Sequence, residues 1–346
     1  MLRATYELDP PEAAEALAVQ VSVGMAGGGA GLGARVAALG ARVAALDGHR
    51  VVLEVPPATD PLDPDHVMAA LVVGEATEVG VWRRCRLVAL DLPAAAMPGP
   101  TRGAGPDRQV GVIVKPSLGL DPAGVAALVA TAAGAGARVV KDDELLGDPP
   151  WCPLAARVEA VARVLPPATT YCANVSGEPT GLLDRARRAV DAGATGLMVN
   201  PFVHGLGALA ALARAGLGVP ILAHRVGSGP WVRNPAVGVA GHVLVSLCRW
   251  AGADLVIVGA FGGKLFETDD EVVANLHAAR RPRPGVRPAW ALLGGGLGPG
   301  DVGPQLARAG GSGLVVLLGS AAHRHPGGLG PAVAEAVAAV DAAAGR

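Results

Sequence analysis

Aromatic side chains are scarce in this sequence, with three Phe, two Tyr and five Trp among 346 residues, 3% of the chain. Stacked rings therefore cannot form the interior. With 51% hydrophobic residues the core must be built from Ala, Val and Leu, and a disordered chain is excluded. An excess of one charge is also lacking. Lys and Arg number 29 against 30 Asp and Glu, a net charge of −1, which removes the whole-molecule positive field that nucleic acid or an anionic membrane surface requires. Four cysteines occur, Cys85, Cys152, Cys172 and Cys248, with no CxxC pair and no zinc-ligand spacing. They are expected to be buried thiols in a reducing compartment. The opening MLRATYELDP carries Glu7 and Asp9 where a secretion signal needs an apolar run, so the expected location is cytoplasmic. The longest charge-free stretch, Ala192 to Ala213, is long enough for a membrane span. Asn200, Pro201, His204 and several glycines interrupt it, and it reads as strand, loop and helix.

Two patterns divide the chain. Up to about residue 108, short apolar segments such as Arg50–Val55 and Arg86–Leu90 alternate with helix-like ones such as Pro11–Val19 and His66–Val72, which suits a small α+β domain. Met97–Asp107, rich in Pro and Gly, is the expected linker. Beyond it, β-branched runs alternate with Ala-rich helical ones. Eight runs are counted: Val110–Val114, Ala137–Lys141, Thr169–Asn174, Thr195–Asn200, Val219–His224, Asp254–Val258, Ala289–Leu293 and Gly313–Leu318, with a final helix near Pro331–Ala344. Eight βα units across residues 109–346 predict a (β/α)8 barrel, with a doubly wound open sheet as the alternative. A barrel assembles its site from the C-terminal ends of its strands. At those ends stand Lys115, the run Lys141-Asp142-Asp143-Glu144, the pair His224-Arg225, Gly262-Gly263-Lys264, and glycines after runs seven and eight.

At strand spacing Lys141 and Asp143 point to the same side. Carboxylates gathered there make an oxygen-rich cradle for Mg2+, although such a run also occurs as an ordinary solvated loop. An ammonium only donates hydrogen bonds and cannot ligate a cation, so Lys141 fits a metal site only if it is modified.

These fragments resemble the ribulose bisphosphate carboxylase (RuBisCO) large-subunit superfamily, including its non-carboxylating RuBisCO-like branch. Lys141-Asp142-Asp143-Glu144 is similar to that family's metal site, and Gly111–Leu120, GVIVKPSLGL, to its first-strand lysine motif. His224-Arg225 resembles the fifth-strand pair, and Gly263-Lys264-Leu265 the mobile loop six. Gly319 with His325-Pro326 resembles the eighth-strand phosphate loop. The resemblance implies a small ferredoxin-like α+β domain followed by the barrel. It implies that Lys141 carries a carbamate made from CO2 and, with Asp143 and Glu144, binds Mg2+. Lys115 would act as acid or base beside a substrate carbonyl. His224 would stand near the substrate, Arg225 would hold an anion, and Lys264 would close over the site. Gly295, Gly296, Gly319 and Ser320 would present backbone N–H groups to phosphate. Asp142 is left as a support for the ligands or a solvated residue, and His204, His242, His277 and His323 as structural.

The sequence also departs from that pattern. Ser117 stands where carboxylases have a second lysine, Ile257 where they have a histidine and Gly294 where they have a serine. Gln20 and Met25 stand where Glu and Thr are usual, and Glu75 follows Gly74 where Asn is usual. The losses remove parts of the carboxylation machinery and of a second phosphate site. The expected function is Mg-dependent enolisation or tautomerisation of a ketone-bearing sugar phosphate or related polyol without CO2 fixation. A decarboxylase or transcarboxylase of a β-keto sugar acid and a non-catalytic scaffold are the alternatives. The resemblance further implies a homodimer or larger homo-oligomer, with Glu75 reaching a neighbour's pocket; the balanced charge leaves no nucleic-acid or membrane partner expected.

Overall fold

The computed structural model describes residues 1–22, 40–57, 62–93 and 107–345. The expected linker, apart from Asp107, and Met25 lie outside the described residues. In the N-terminal part, β1 (Leu2–Asp9), β2 (Arg42–Asp47), β3 (Arg50–Val55) and β4 (Arg84–Asp91) form an antiparallel sheet in the order β4-β1-β3-β2. Strict alternation puts Leu2, Ala4, Tyr6 and Leu8 of β1 inward, as a sheet covered on one face requires. The helices Ala14–Gln20 and Pro64–Val67 belong to the same part of the chain. The Tyr6 hydroxyl, buried with this layer, donates to Leu71 O at 2.7 Å.

The eight expected runs become eight parallel strands: β5 (Arg108–Ile113), β6 (Val139–Lys141), β7 (Thr170–Asn174), β8 (Gly196–Val199), β9 (Ile221–Ala223), β11 (Leu255–Gly259), β12 (Trp290–Gly294) and β13 (Leu314–Leu318). They close into a barrel, β11 pairing with β9, which excludes the open sheet. Parallel strands are covered on both faces, which is why they read as continuous apolar runs: β8, β11 and β13 are buried at every position. One face points outward to the helices. The other fills the barrel, where Val139, Cys172, Met198, Leu222, Ile257, Leu292 and Leu317 meet. Alanine-rich helices such as Pro122–Gly134 and Leu329–Ala343 surround it, their small side chains suited to close approach.

A further strand, β10 (Val237–Val239), was not foreseen. It leaves the barrel sequence to extend the N-terminal sheet in parallel with β4, pairing Val237 with Cys85 and Val239 with Leu87. Beside it the Arg86 guanidinium donates to Asn234 O at 2.5 Å and Val232 O at 3.1 Å. Sheet and barrel are thus joined by backbone pairing. All four cysteines are buried free thiols, and burial pushes those of Cys85 and Cys172 up to about 12. Among the described residues no helix is long and apolar enough to cross a membrane.

Candidate active site

The register of β5, β6 and β7 aligns Ile113 with Lys141 and Lys141 with Cys172, so the residues that follow emerge side by side at the barrel mouth. The short strand β6 puts Val139 and, two residues on, Lys141 on its inner face. Lys141 is fully buried; its Nζ donates to Asp142 O at 2.8 Å and lies 3.4 Å from Glu144 Oε2. Burial lowers its ammonium from the ordinary lysine range, against the pull of Glu144 and Asp143. That favours the neutral amine that carbamate formation needs.

Asp142 is not a solvated residue. It is fully buried and turned away from Lys141, and its carboxylate is saturated. Oδ2 accepts from Arg157 Nη2 at 3.0 Å, Arg157 Nε at 3.2 Å and Asn174 N at 2.9 Å, and Oδ1 accepts from the Tyr171 hydroxyl. Burial, the largest influence, acts to lower the Arg157 guanidinium, but Asp142, Tyr171 and Cys152 together outweigh it, and the net shift is upward. Asn174 Nδ2 donates to Asp143 O at 3.2 Å and Glu144 O at 3.1 Å, and Asn200 Nδ2 to Glu144 O at 3.0 Å. The turn carrying the two carboxylates is therefore tied to the ends of β7 and β8. Arg157, Tyr171, Asn174 and Asn200 were missed as site-building residues. Asn174 and Asn200, polar residues closing runs three and four, were the available signal; nothing local marks Arg157.

Lys115, at the end of β5, forms an ion pair with Asp143, whose Oδ1 also accepts from Leu145 N at 2.9 Å. His224 follows β9. Its Nδ1 accepts from Val226 N at 3.1 Å, which assigns the proton to Nε2, 3.5 Å from Glu144 Oε2. Burial, then Lys141, Arg225 and Lys115, push His224 well below the ordinary imidazole range, so it is neutral near pH 7. Burial, the largest influence, works to raise the Glu144 carboxyl, but the Lys141 ammonium, a backbone hydrogen bond and Lys115 together outweigh it and the net shift is down. Lys115, Lys141, Asp143, Glu144 and His224 thus form one connected cluster.

The remaining expected residues lie elsewhere around the mouth. Arg225 pairs with Glu267, a residue not anticipated from the sequence. Lys264 is exposed and rests on the loop after β12: its N donates to Gly295 O at 2.8 Å, and a Cβ on Gly296 would lie 3.2 Å from its Cγ. Gly295, with φ +138°, faces Leu265 in the same way. Gly319 follows β13 and Ser320 opens the short helix Ser320–His323; a Cβ at Gly319 would meet only Ile113, at 3.7 Å. Glu75 opens the helix Glu75–Glu78, and its side chain is outside the described part. His323 Nε2 lies 2.7 Å from Ile113 O, and His242 Nε2 lies 2.8 Å from Val88 O.

The donor set fits a divalent cation under one condition. Among the described residues no three His, Cys, Asp or Glu side chains gather as a metal cluster, so Asp143 and Glu144 fall short of a site by themselves, and a carbamate on Lys141 would add a third anionic ligand. With Lys141 as an ammonium, its charge and that of Lys115 balance Asp143 and Glu144. As a carbamate it would leave the cluster at −2, which a divalent cation neutralises. Asn200 Oδ1, buried and without a donor among the described residues, leaves an acceptor on a side chain already tied to the Glu144 backbone.

Residues 101–344 match the family described as ribulose bisphosphate carboxylase large chain, catalytic domain. The chain is 37% identical over 260 residues to an uncharacterised ribulose bisphosphate carboxylase-like protein of Bordetella bronchiseptica, covering 68% of this chain and 60% of that one. It is 32% identical over 202 residues to the 2,3-diketo-5-methylthiopentyl-1-phosphate enolase of Bacillus cereus, covering 56% and 49%. A rubisco-like protein from Alicyclobacillus acidocaldarius superposes with a TM-score of 0.82 at 29% identity over 99% of this chain and 94% of that one. The matches to curated relatives span about half to three fifths of their length.

Proposed function

The chain belongs to the family of the ribulose bisphosphate carboxylase large chain, and we propose that it enolises or tautomerises a ketone-bearing sugar phosphate or related polyol without fixing CO2. The observation that carries this reading is the convergence of Lys115, Lys141, Asp143, Glu144 and His224 at one end of the barrel. Mg2+ held by the Lys141 carbamate, Asp143 and Glu144 would polarise a substrate carbonyl. Lys115 then has the position of the proton carrier. Once it has lost its own proton, its Nζ takes the proton from the carbon beside the carbonyl, the C–H pair becoming the new C=C bond and the C=O π pair passing to the carbonyl oxygen, and returns that proton to the product. The Asp143 carboxylate orients that amine. The neutral His224 offers its Nε2–H to a substrate oxygen. Gly319 and the N–H groups opening Ser320–His323 supply the phosphate end. The relative from B. cereus bears the name of an enolase acting on a phosphorylated diketone, which supports this chemistry over carboxylation. A homo-oligomer remains part of the proposal.

The test is intact mass and Mg2+ affinity with and without bicarbonate, in the wild type and Lys141→Ala, followed by deuterium uptake from solvent into a phosphorylated ketose. Expected are a bicarbonate-dependent gain of one CO2, tightened Mg2+ binding lost in Lys141→Ala, and carbon-bound deuterium exchange that needs Lys115. Mg2+ binding indifferent to bicarbonate would overturn the carbamate, and with it the enolising site.

A further inference from the structure

Arg225 was expected to hold a substrate anion, yet its charge is already taken. Its Nη2 forms an ion pair with Oε1 of Glu267, whose side chain is only 4% exposed. The guanidinium lies 5.7 Å from the centroid of the Phe266 ring. The backbone is shaped to admit this pair. Gly259 ends β11 with φ +89°, and a Cβ there would stand 3.4 Å from the Glu267 carboxyl carbon and 3.5 Å from Arg225 Nη1. Ile257 of the same strand is buried among apolar side chains, and Gly294 on the neighbouring strand faces Leu317 and Ile257. Glu267 also lines a cavity of about 30 Å3 with Ser228 and Asn275, room for a water or two beside a carboxylate whose Oε2 has no protein donor among the described residues.

We infer that Glu267 is a built-in counter-anion: it occupies Arg225, so this end of the mouth accepts no second anionic group and the substrate carries its charge at one end only. The inference deepens the proposed function and rests on it only in taking the β9–β11 side as part of the substrate mouth. An anionic substrate group that captured Arg225 would leave Glu267 as a buried carboxylate without its cation, a strongly unfavourable state that cancels the gain. Replacing Glu267 by its neutral isostere removes that obstacle and leaves a guanidinium free to bind an anion in a bidentate way.

The experiment compares a pentitol 1-phosphate with the corresponding 1,5-bisphosphate by calorimetric titration. Wild type should bind the two within about threefold of each other, while Glu267→Gln should prefer the bisphosphate by about tenfold or more, a preference lost again in Glu267→Gln/Arg225→Gln. A folded Glu267→Gln that shows no such preference overturns the inference, as does a wild type that itself prefers the bisphosphate tenfold. If Glu267→Gln does not fold, the wild-type comparison decides alone, equal affinities supporting and a tenfold preference refuting. Failure of bicarbonate-dependent Mg2+ binding would sink the enolising reading and leave this comparison untouched.

Discussion

Asp142–Arg157 and Arg225–Glu267 are both buried ion pairs at the C-terminal ends of barrel strands, on different sides of the mouth. In the first, both side chains are fully buried and both carboxylate oxygens are hydrogen-bonded. In the second, Arg225 keeps 17% exposure and Glu267 Oε2 has no partner among the described residues. The complete pair shares its carboxylate with the backbone of Asn174, and so fixes the turn that carries Asp143 and Glu144. The incomplete pair joins a strand end to the loop bearing Lys264 and fixes no comparable backbone. Buried charge serves as foundation on one side and as occupant on the other.

The largest effect should come from Asp142→Asn. It keeps the shape but leaves Arg157 as an uncompensated buried cation, and breaking a buried pair in this way costs about 3–5 kcal/mol. Glu267→Gln, which leaves Arg225 partly solvated and still over Phe266, should cost about 1–3 kcal/mol. Urea unfolding followed by tryptophan fluorescence measures both. If Glu267→Gln proved the more damaging, the distinction between foundation and occupant would collapse.

A finer probe of the looser side is Phe266→Ala. The ring is 36% exposed and has the guanidinium carbons of Arg225 and Arg233 at 5.7 and 5.6 Å from its centroid. Losing both cation–π contacts should cost no more than about 1–2 kcal/mol. Hydrogen exchange should quicken across residues 259–268 and stay unchanged across 139–146. Equal acceleration in both segments would mean that the two sides are mechanically one.

The same contrast explains what the amino-acid order disclosed. All eight barrel strands were legible because a doubly covered parallel strand is a continuous apolar run, and the cluster residues stood at the ends of those runs. β10 was not, since Val237-Gly238-Val239 is too short for a periodic signal and its pairing partner β4 lies about 150 residues earlier. Asp142 read as ambiguous because its burial depends on Arg157, Tyr171 and Asn174, which lie on other elements. Glu267 went unnoticed for the same reason: the 41 residues between it and Arg225 carry no pattern that foretells a contact between two loops. Roles set by one strand can be read locally, whereas roles set by side chains meeting across strands cannot.

The smallest effect concerns acid, and it should act on the looser side. His242 lies in the first turn of the helix Gly241–Trp250, which lines the cavity beside Glu267, and its Nε2 lies 2.8 Å from Val88 O of the N-terminal sheet. Burial lowers its imidazole from the ordinary 6.5, the hydrogen bond to Val88 opposing. The unfolded chain therefore binds a proton that the folded chain resists. The stability this neutral ring contributes is complete above the unfolded value and is lost as pH falls from there toward the lower folded value. His204, lowered by burial and Arg185, and His224 act in the same direction. The thermal midpoint should drop between pH 7.5 and 5.5, and His242→Gln, which can still donate to Val88 O, should remove part of that drop. An unchanged slope in the variant would mean that the other two histidines carry the acid sensitivity, among them His224, which stands next to Arg225 and beside Glu144 and so bridges the two sides.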